Sequence, residues 1–483
     1  MYLFVPIYVQ ALGVEAFGLV GFYSTLLAVL AFADLGFTAT LNRQMARLSV
    51  LPDGATRMGD LLRTYELCYF ALAGLIALLL WLVAPLIALH WLKVGALGLD
   101  TVTLAIRVMG LAIACQLPSA LYVGGLMGLQ RQVRVNLLQV SWGLYRGCGT
   151  ALVLWFIAPT ITAFAWTQLL ANLVYLGAAR VSIWRSALGR GALALARFRV
   201  QVLRDTWHYA AGMAGMAILS ICLTQLDKLV VSRALPLQML GFYTLAGTMA
   251  AVPMMLASPI ASAVFPRLTE LVALGQSSAL AALYQRTCAV VGVLVVPGSL
   301  ALVVFAAEFL DAWTGTPAAA THSARAAALL LLGQLLQALT VVPYYVALAF
   351  GDVKLNLRIG IVSALALLPL LMVLVTRYGM AGAAGAWLLL NLGVFGPYMY
   401  FLHRRFLPGQ LRRWLAHAVV APLLAALPVL LLARLAAPQG MGRLLWFLYI
   451  GVAAATASAA ALLLVPATRT LLLQRIPLFW RRT

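Results

Sequence analysis

Long apolar runs separated by short polar segments set the pattern of this chain. A bilayer core about 30 Å thick is crossed by roughly 20 apolar helical residues. Lipid-facing backbone must satisfy its hydrogen bonds within a segment, and the runs are longer than the ~10-residue alternating segments of a transmembrane barrel. The pattern predicts an all-α polytopic membrane protein of about 14 transmembrane helices, the first of them short. The predicted spans are 1–11, 14–36, 66–90, 102–127, 135–157, 160–183, 207–233, 239–265, 287–307, 324–350, 356–376, 380–402, 414–434 and 443–465.

Three short matches at nearly one offset indicate an internal repeat. Residues 16–48 align with 239–271 at an offset of 223, and Ala165-Trp166 aligns with Ala386-Trp387 at 221. The third match aligns residues 133–137 with 353–357 at 220. Since this offset spans six predicted helices, an even number, the second copy enters the membrane in the same orientation.

The repeat predicts two parallel six-helix halves around a central cavity, plus two C-terminal helices. The predicted divisions are an N-terminal half at 1–184, a basic cytoplasmic linker at 185–206, a C-terminal half at 207–403, and two extra transmembrane helices with a basic cytoplasmic tail at 404–483. The basic linker is interpreted as a solvated connection, with an amphipathic surface helix as the alternative.

Composition and charge agree with a membrane protein. Of 483 residues, 64% are hydrophobic and only 9% are charged, which excludes a soluble domain of this length. The formal net charge of +21 suggests a nucleic-acid partner until the basic residues are assigned to loops. With the N-terminus inside, 24 Lys and Arg fall on the cytoplasmic side and only seven on the other. This bias predicts both termini in the cytoplasm and no nucleic-acid partner.

Catalytic and metal-binding motifs are missing from the loops. The sequence contains no Walker A, HExxH or GxSxG pattern and no paired carboxylates in a soluble loop. The five cysteines stand singly in or beside apolar helices, without the spacing of a disulfide framework or a zinc site. We therefore expect neither an enzyme nor a protein with a metal or another cofactor.

One buried cation is the clearest candidate for binding chemistry. Arg146 lies about eleven residues, or ~16 Å, inside the fifth predicted helix. An ionisable group at mid-bilayer costs about 2.5–3.5 kcal/mol, so it is a functional candidate. Gln139, Trp142 and Arg146 follow at i, i+3 and i+7 on one face. We interpret this face, with Gln116, as a substrate cavity for an anionic headgroup; pairing or packing within the bundle is the alternative.

Two further polar groups are candidates for gating or ion coupling. Thr224, Asp227 and Lys228 form a stripe on the seventh predicted helix, for which a structural charge pair is the alternative. Asp34 and Arg43 stand at the predicted cytoplasmic end of the second helix, where they suggest an entry gate. A positive-inside anchor explains Arg43 equally well.

Several strings resemble one family of transporters. The segment LGVEAFGLVGFYSTLLAVLAFADLGFTATLNRQMARLS at 12–49 resembles the start of Wzx-type polysaccharide (O-antigen or exopolysaccharide) flippases. These belong to the multidrug/oligosaccharidyl-lipid/polysaccharide (MOP) exporter superfamily. LTQLDKLVVSRALPLQMLGFYTLA at 223–246 and AVFPRLTEL at 263–271 resemble the opening of the second half in the same family. The likeness covers most of the chain.

The resemblance implies a cationic central cavity and a specific cargo. The cargo would be an undecaprenyl-pyrophosphate-linked glycan repeat unit, moved from the cytoplasmic to the periplasmic leaflet by alternating access coupled to H+ or Na+. It further implies a location in the bacterial inner membrane, and a polysaccharide polymerase and co-polymerase as partners. The short first helix departs from the family pattern.

Other transporters remain as alternatives. A drug/cation antiporter of the same superfamily would require membrane-buried carboxylates rather than a buried arginine. A lipid II flippase shares the same fold and charge logic. A glycan polymerase would show a large periplasmic loop, and a major-facilitator transporter would show a Gly-x-x-x-Asp-Arg pattern that 41–63 lacks.

Overall fold

The computed structural model describes residues 4–34, 36–52, 54–188, 196–438 and 440–466, without the side chains of 202–217 and 353. Over these residues the chain is helical, in agreement with the predicted all-α class, apart from one isolated β-bridge between Lys93 and Pro236. The first nine helices are α1 Val5–Leu12, α2 Val14–Leu30, α3 Phe37–Leu48, α4 Gly54–Leu86, α5 Leu99–Gly128, α6 Gln132–Leu144, α7 Thr150–Phe156, α8 Ile161–Leu188 and α9 Val200–Ala234.

The second part of the chain continues this pattern. Its helices are α10 Leu237–Ala250, α11 Val252–Ala273, α12 Ser277–Val304, α13 Ala306–Thr314, α14 Pro317–Ala349, α15 Val353–Phe406, α16 Leu411–Trp414, α17 Ala421–Leu435 and α18 Arg443–Leu464. A 3-10 turn at Ala31–Asp34 follows α2, and π-helical turns occur at Ile87–Trp91, Tyr145–Gly149 and Leu415–Val420.

Ten helical segments of the described chain are long and apolar enough to cross a membrane, whereas the sequence predicts fourteen spans. The predicted spans 1–11, 135–157 and 207–233 are not among the ten. The first contains a helix of only eight residues, the second is divided by a π turn, and the third includes undescribed side chains. The predicted spans 356–376 and 380–402 both lie within one of the ten segments, Lys354–Phe406. The number fourteen stays a prediction.

Helix α15 is a hairpin of two helices. Gly379 has φ of 58° and ψ of −135°, a conformation that L side chains rarely adopt. Beyond this point the chain runs back along the first arm. A hydrogen bond of 3.0 Å from the Tyr398 hydroxyl to Asn356 Oδ1 joins the two arms. The two arms touch closely enough that a Cβ on Gly382 would lie 1.9 Å from the Leu374 carbonyl oxygen. The chain therefore reverses between the two predicted spans.

The chain divides into two compact units, Met1–Gly241 and Phe242–Thr483. In the first, buried side chains of α3, α4, α5 and α8 form the core, with Leu41, Tyr65 and Leu121 at its centre. In the second, α17 and α18 pack against α12 as part of the main core. The six-helix halves and their predicted divisions stay a prediction.

Parts of the predicted basic linker and of the basic tail lie outside the described residues. Helix α8 continues to Leu188 and α9 begins at Val200, with 196–199 non-helical between them. The rest of the proposed linker, residues 189–195, lies outside the described residues, as does the basic tail at 467–483.

Glycines on α5 bring α3 into close contact. A Cβ on Gly124 would lie 2.4 Å from Thr38 Cγ2, and one on Gly128 would lie 2.2 Å from the Asn42 carbonyl oxygen. Small residues four apart allow two helix backbones to approach in this way. The contact places the polar residues of α3 beside α5.

Candidate functional site

A cavity of about 550 Å³ lies within the first unit, between the turn after α2 and helices α3, α5, α6 and α8. Three of the four predicted cavity residues, Gln116, Gln139 and Trp142, line it together, whereas Arg146 is not among its lining residues. Its other polar or aromatic lining residues are Phe32, Asp34, Thr38, Asn42 and Tyr175. The structure thus brings residues of five chain segments to one site.

Arg146 lies one helical turn beyond Trp142, inside the π turn Tyr145–Gly149. Such turns insert one residue into a helix and often occur at functional sites. The buried Tyr8 hydroxyl of α1 donates to the Gly147 carbonyl oxygen over 3.3 Å. Gly147 leaves room for the Phe4 ring, which a Cβ there would meet at 2.3 Å. The short first helix is therefore packed on the turn that carries Arg146.

Neutral groups surround the Arg146 side chain. Its Nε donates to Gln168 Oε1 over 2.5 Å, and its Cζ lies 5.2 Å from the Trp142 ring centroid and 6.0 Å from that of Tyr23. Gln168 is buried and donates in turn to Thr150 Oγ1 over 3.1 Å. Among the described residues, no carboxylate lies within ion-pair distance of Arg146. The half-buried charge is oriented without being neutralised.

A buried asparagine on α8 joins the other cavity residues. Asn172 Oδ1 accepts from Trp142 Nε1 over 3.1 Å and from Gln116 Nε2 over 3.3 Å. The Trp142 ring also stacks on Tyr175, with centroids 5.0 Å apart. These bonds connect α5, α6 and α8 and hold an indole face beside the cavity.

Sequence reasoning missed the contribution of α8. Gln168, Asn172 and Tyr175 follow at i, i+4 and i+7, so they share one face of α8. This polar stripe is the signal by which they could have been found.

The proposed gating residues have different surroundings. Asp34 lines the cavity, and its Oδ1 accepts from Tyr69 over 2.5 Å and from Thr38 Oγ1. Arg43 is exposed on α3 and is not a lining residue of this cavity. A gate role for either residue stays a prediction.

The stripe on α9 does not line the described cavity. The exposed Thr224 donates to the Ser220 carbonyl oxygen over 2.8 Å, and Lys228 Nζ donates to Gln225 Oε1 over 3.3 Å. Asp227 is half-buried on the same helix. Their roles in gating or ion coupling stay predictions.

A second polar cluster surrounds Glu66 on α4, which sequence reasoning did not identify. Its side chain is 1% exposed. Glu66 Oε1 accepts from Tyr122 and from Arg180 Nε, each over 2.5 Å, and Oε2 accepts from Arg63 over 3.1 Å. The cluster is not part of the cavity lining and joins α4, α5 and α8.

Comparison with a family of sequences places these features in context. The model of a family described as polysaccharide biosynthesis protein matches residues 1–272. No curated protein matches the chain.

Several solved structures have a similar fold. The lipid II flippase MurJ, in an inward closed conformation, has a TM-score of 0.63 at 12% identity, covering 95% of this chain and 98% of its own. A multidrug resistance MATE family transporter of the MOP superfamily, inward-facing, has a TM-score of 0.70 at 13% identity, covering 85% and 94%. A MOP superfamily transporter from Pyrococcus furiosus has a TM-score of 0.53 at 13% identity, covering 85% and 95%.

Proposed function

This chain belongs to the family of polysaccharide biosynthesis proteins, and from that membership we propose that it flips an undecaprenyl-pyrophosphate-linked glycan repeat unit across the bacterial inner membrane. The family match supports this proposal, as does a fold similar to those of the lipid II flippase MurJ and a MATE family transporter. In the proposal, cargo moves from the cytoplasmic to the periplasmic leaflet and both termini are cytoplasmic. A polymerase and co-polymerase would receive it.

The observation that carries the proposal is the surroundings of Arg146. A pyrophosphate and a glycan cannot cross hydrocarbon unaided, since each unpaired polar group costs several kcal/mol. A guanidinium is suited to phosphate because its planar N–H groups form charge-assisted, bidentate hydrogen bonds. Arg146 is held by a neutral amide and by aromatic rings, so its charge is available to an anionic ligand.

The cavity, which begins one helical turn before Arg146 at Trp142, suits the sugar portion. Gln116 and Gln139 offer amide donors and acceptors to hydroxyl groups. The stacked Trp142 and Tyr175 rings provide a flat apolar surface beside them. The same cavity thus combines hydrogen bonding with an aromatic platform.

Ion coupling is assigned to Asp34. It is the one carboxylate among the residues lining this cavity of the described chain. Hydroxyl groups of Tyr69 and Thr38 orient it, so H+ or Na+ binding there would change the charge of the cavity. A drug/cation antiporter would require a carboxylate within the membrane, and Asp34 makes that activity the second candidate.

Deletion of the gene in its host, followed by quantification of lipid-linked oligosaccharide and surface polysaccharide, tests the proposal. We expect loss of surface glycan and accumulation of lipid-linked units on the cytoplasmic face, both reversed by the wild-type gene. Unchanged glycan with altered drug tolerance would instead support the antiporter.

A further inference from the structure

A second groove of about 550 Å³ lies on the first unit between α6 and α8. Its lining residues are Arg134, Gly177, Ala178, Val181, Ser182 and Arg185. None of these residues lines the cavity between α3, α5, α6 and α8, so binding at this groove does not require the proposed transport function.

Two guanidinium groups with no acidic partner border the groove. Both side chains are exposed, and Arg134 donates to Ser186 Oγ over 2.6 Å. Among the described residues, no carboxylate lies within ion-pair distance of Arg134 or Arg185. Two like charges bordering one groove favour an anion because it relieves their repulsion.

The predicted repeat allows a comparison with the second unit, where a carboxylate pairs with a basic residue. At the offset of 220 that relates residues 133–137 to 353–357, Arg134 corresponds to Lys354. In the second unit, Asp352 forms an ion pair of 2.6 Å with Arg405 and caps the helix at Lys354. The residue equivalent to Asp352 in the first unit is Gln132. At this position the first unit therefore keeps the cation and lacks the carboxylate.

The surface around the groove is apolar. Val133 is 82% exposed, Leu137 is 65% exposed and Val181 is 47% exposed. Gly177 has nothing within 4 Å of an added Cβ, so the bottom of the groove is open. An acyl chain fits this surface, whereas a soluble phosphate would gain nothing from it.

We propose that this groove binds an anionic phospholipid, with its phosphate between Arg134 and Arg185 and an acyl chain along Gly177 and Val181. Charge distribution predicts that this end of α6 and α8 faces the cytoplasm, where anionic lipid attracts basic side chains. The bound lipid would supply the negative charge that Asp352 supplies in the second unit.

Native mass spectrometry of the purified full-length protein with phosphatidylglycerol or phosphatidylcholine tests this site. We expect the wild type to retain phosphatidylglycerol roughly tenfold better than phosphatidylcholine. The double variant Arg134→Gln/Arg185→Gln should lose this preference. Gln132→Asp should lose it too, because it introduces a carboxylate and keeps both arginines. Arg413→Gln, a change at an exposed arginine elsewhere, is the matched control and should behave as wild type.

Glycerol phosphate and inorganic phosphate distinguish a lipid site from a soluble-phosphate site. Neither should displace phosphatidylglycerol at millimolar concentration if the acyl chain contributes. Displacement by either compound would overturn the proposal. A wild type that does not prefer phosphatidylglycerol to phosphatidylcholine would overturn it too, as would a preference that stays unchanged in both variants. Size-exclusion profiles matching the wild type establish that the variants remain folded.

Discussion

Arg146 differs from the ion-paired arginines of the described chain in the chemistry of its partners. Arg180, Arg199 and Arg405 each contact a carboxylate, whereas Arg146 contacts an amide and aromatic rings. A hydrogen bond to a charged group contributes about 1.5–3 kcal/mol, and losing one in the bound complex weakens binding about 10- to 100-fold. The neutral partners orient the guanidinium group and do not neutralise its charge.

We therefore expect Arg146→Ala to lower transport by about 10- to 100-fold in a complementation or reconstituted flipping assay. Arg146→Lys should retain part of the activity, since an ammonium keeps the charge but cannot form a bidentate contact. If Arg146→Ala and Arg146→Lys both transport at the wild-type rate, the cation site is wrong. Arg413→Gln, at an exposed position, serves as the control.

Asp34→Asn tests coupling separately from binding. The amide keeps the size of the side chain but cannot carry the negative charge that H+ or Na+ would neutralise. We expect transport to lose its stimulation by an imposed ion gradient, while binding of the lipid-linked glycan changes less than about threefold. Gradient-stimulated transport at the wild-type level in this variant would remove Asp34 from the coupling role.

At the scale of helices, the Glu66 cluster holds α4, α5 and α8 together through one buried carboxylate. Removing one partner of a buried ion pair costs roughly 3–5 kcal/mol, and the partly exposed arginines reduce this here to about 2–3 kcal/mol. We expect Glu66→Ala to lower the midpoint of thermal unfolding in detergent by several degrees.

The matched control is Glu270→Gln, because Glu270 pairs with Arg267 on the surface, with 52% and 55% of the side chains exposed. Exposed pairs contribute about 0–1 kcal/mol, so its midpoint should stay close to the wild-type value. Equal midpoints for both variants would show that the buried cluster does not stabilise the helices.

The close packing of α3 against α5 leads to a second prediction at the scale of helices. Gly128→Ala places a Cβ 2.2 Å from the Asn42 carbonyl oxygen, so α3 must move. Overpacking of this kind costs about 1–3 kcal/mol, and it displaces residues that line the cavity. We expect a lower unfolding midpoint together with reduced transport. Gly74→Ala, with nothing within 4 Å of the new Cβ, should keep both at the wild-type level.

For the whole molecule, the charge bias predicts which loops face the cytoplasm. Single cysteines in a variant without the five native cysteines test this prediction. In intact spheroplasts, a membrane-impermeant maleimide should label Ala96→Cys, and it should label Ser49→Cys only after permeabilisation. Both positions are exposed, so access to reagent depends on the side of the membrane. The reverse labelling pattern would invert the proposed topology.

The sequence alone determined that the chain is helical and membrane-spanning. These properties follow from the length of apolar runs and from the composition, which are local. The predicted face of Gln139, Trp142 and Arg146 depends only on helical spacing, and Gln139 and Trp142 line the cavity while Arg146 lies in the π turn beyond them. Gln116 lines the same cavity, and the roles of all four residues stay predictions.

Tertiary structure decided what each polar side chain contacts. The Arg146 bond to Gln168 joins residues 22 apart, and the bond between Arg180 and Glu66 joins residues 114 apart. Such contacts depend on how helices pack, which hydropathy does not contain. For the same reason the sequence could not predict the π turn at Arg146 or the separate helix α3: each exists because neighbouring helices supply Tyr8, Phe4, Gly124 and Gly128 at the right place.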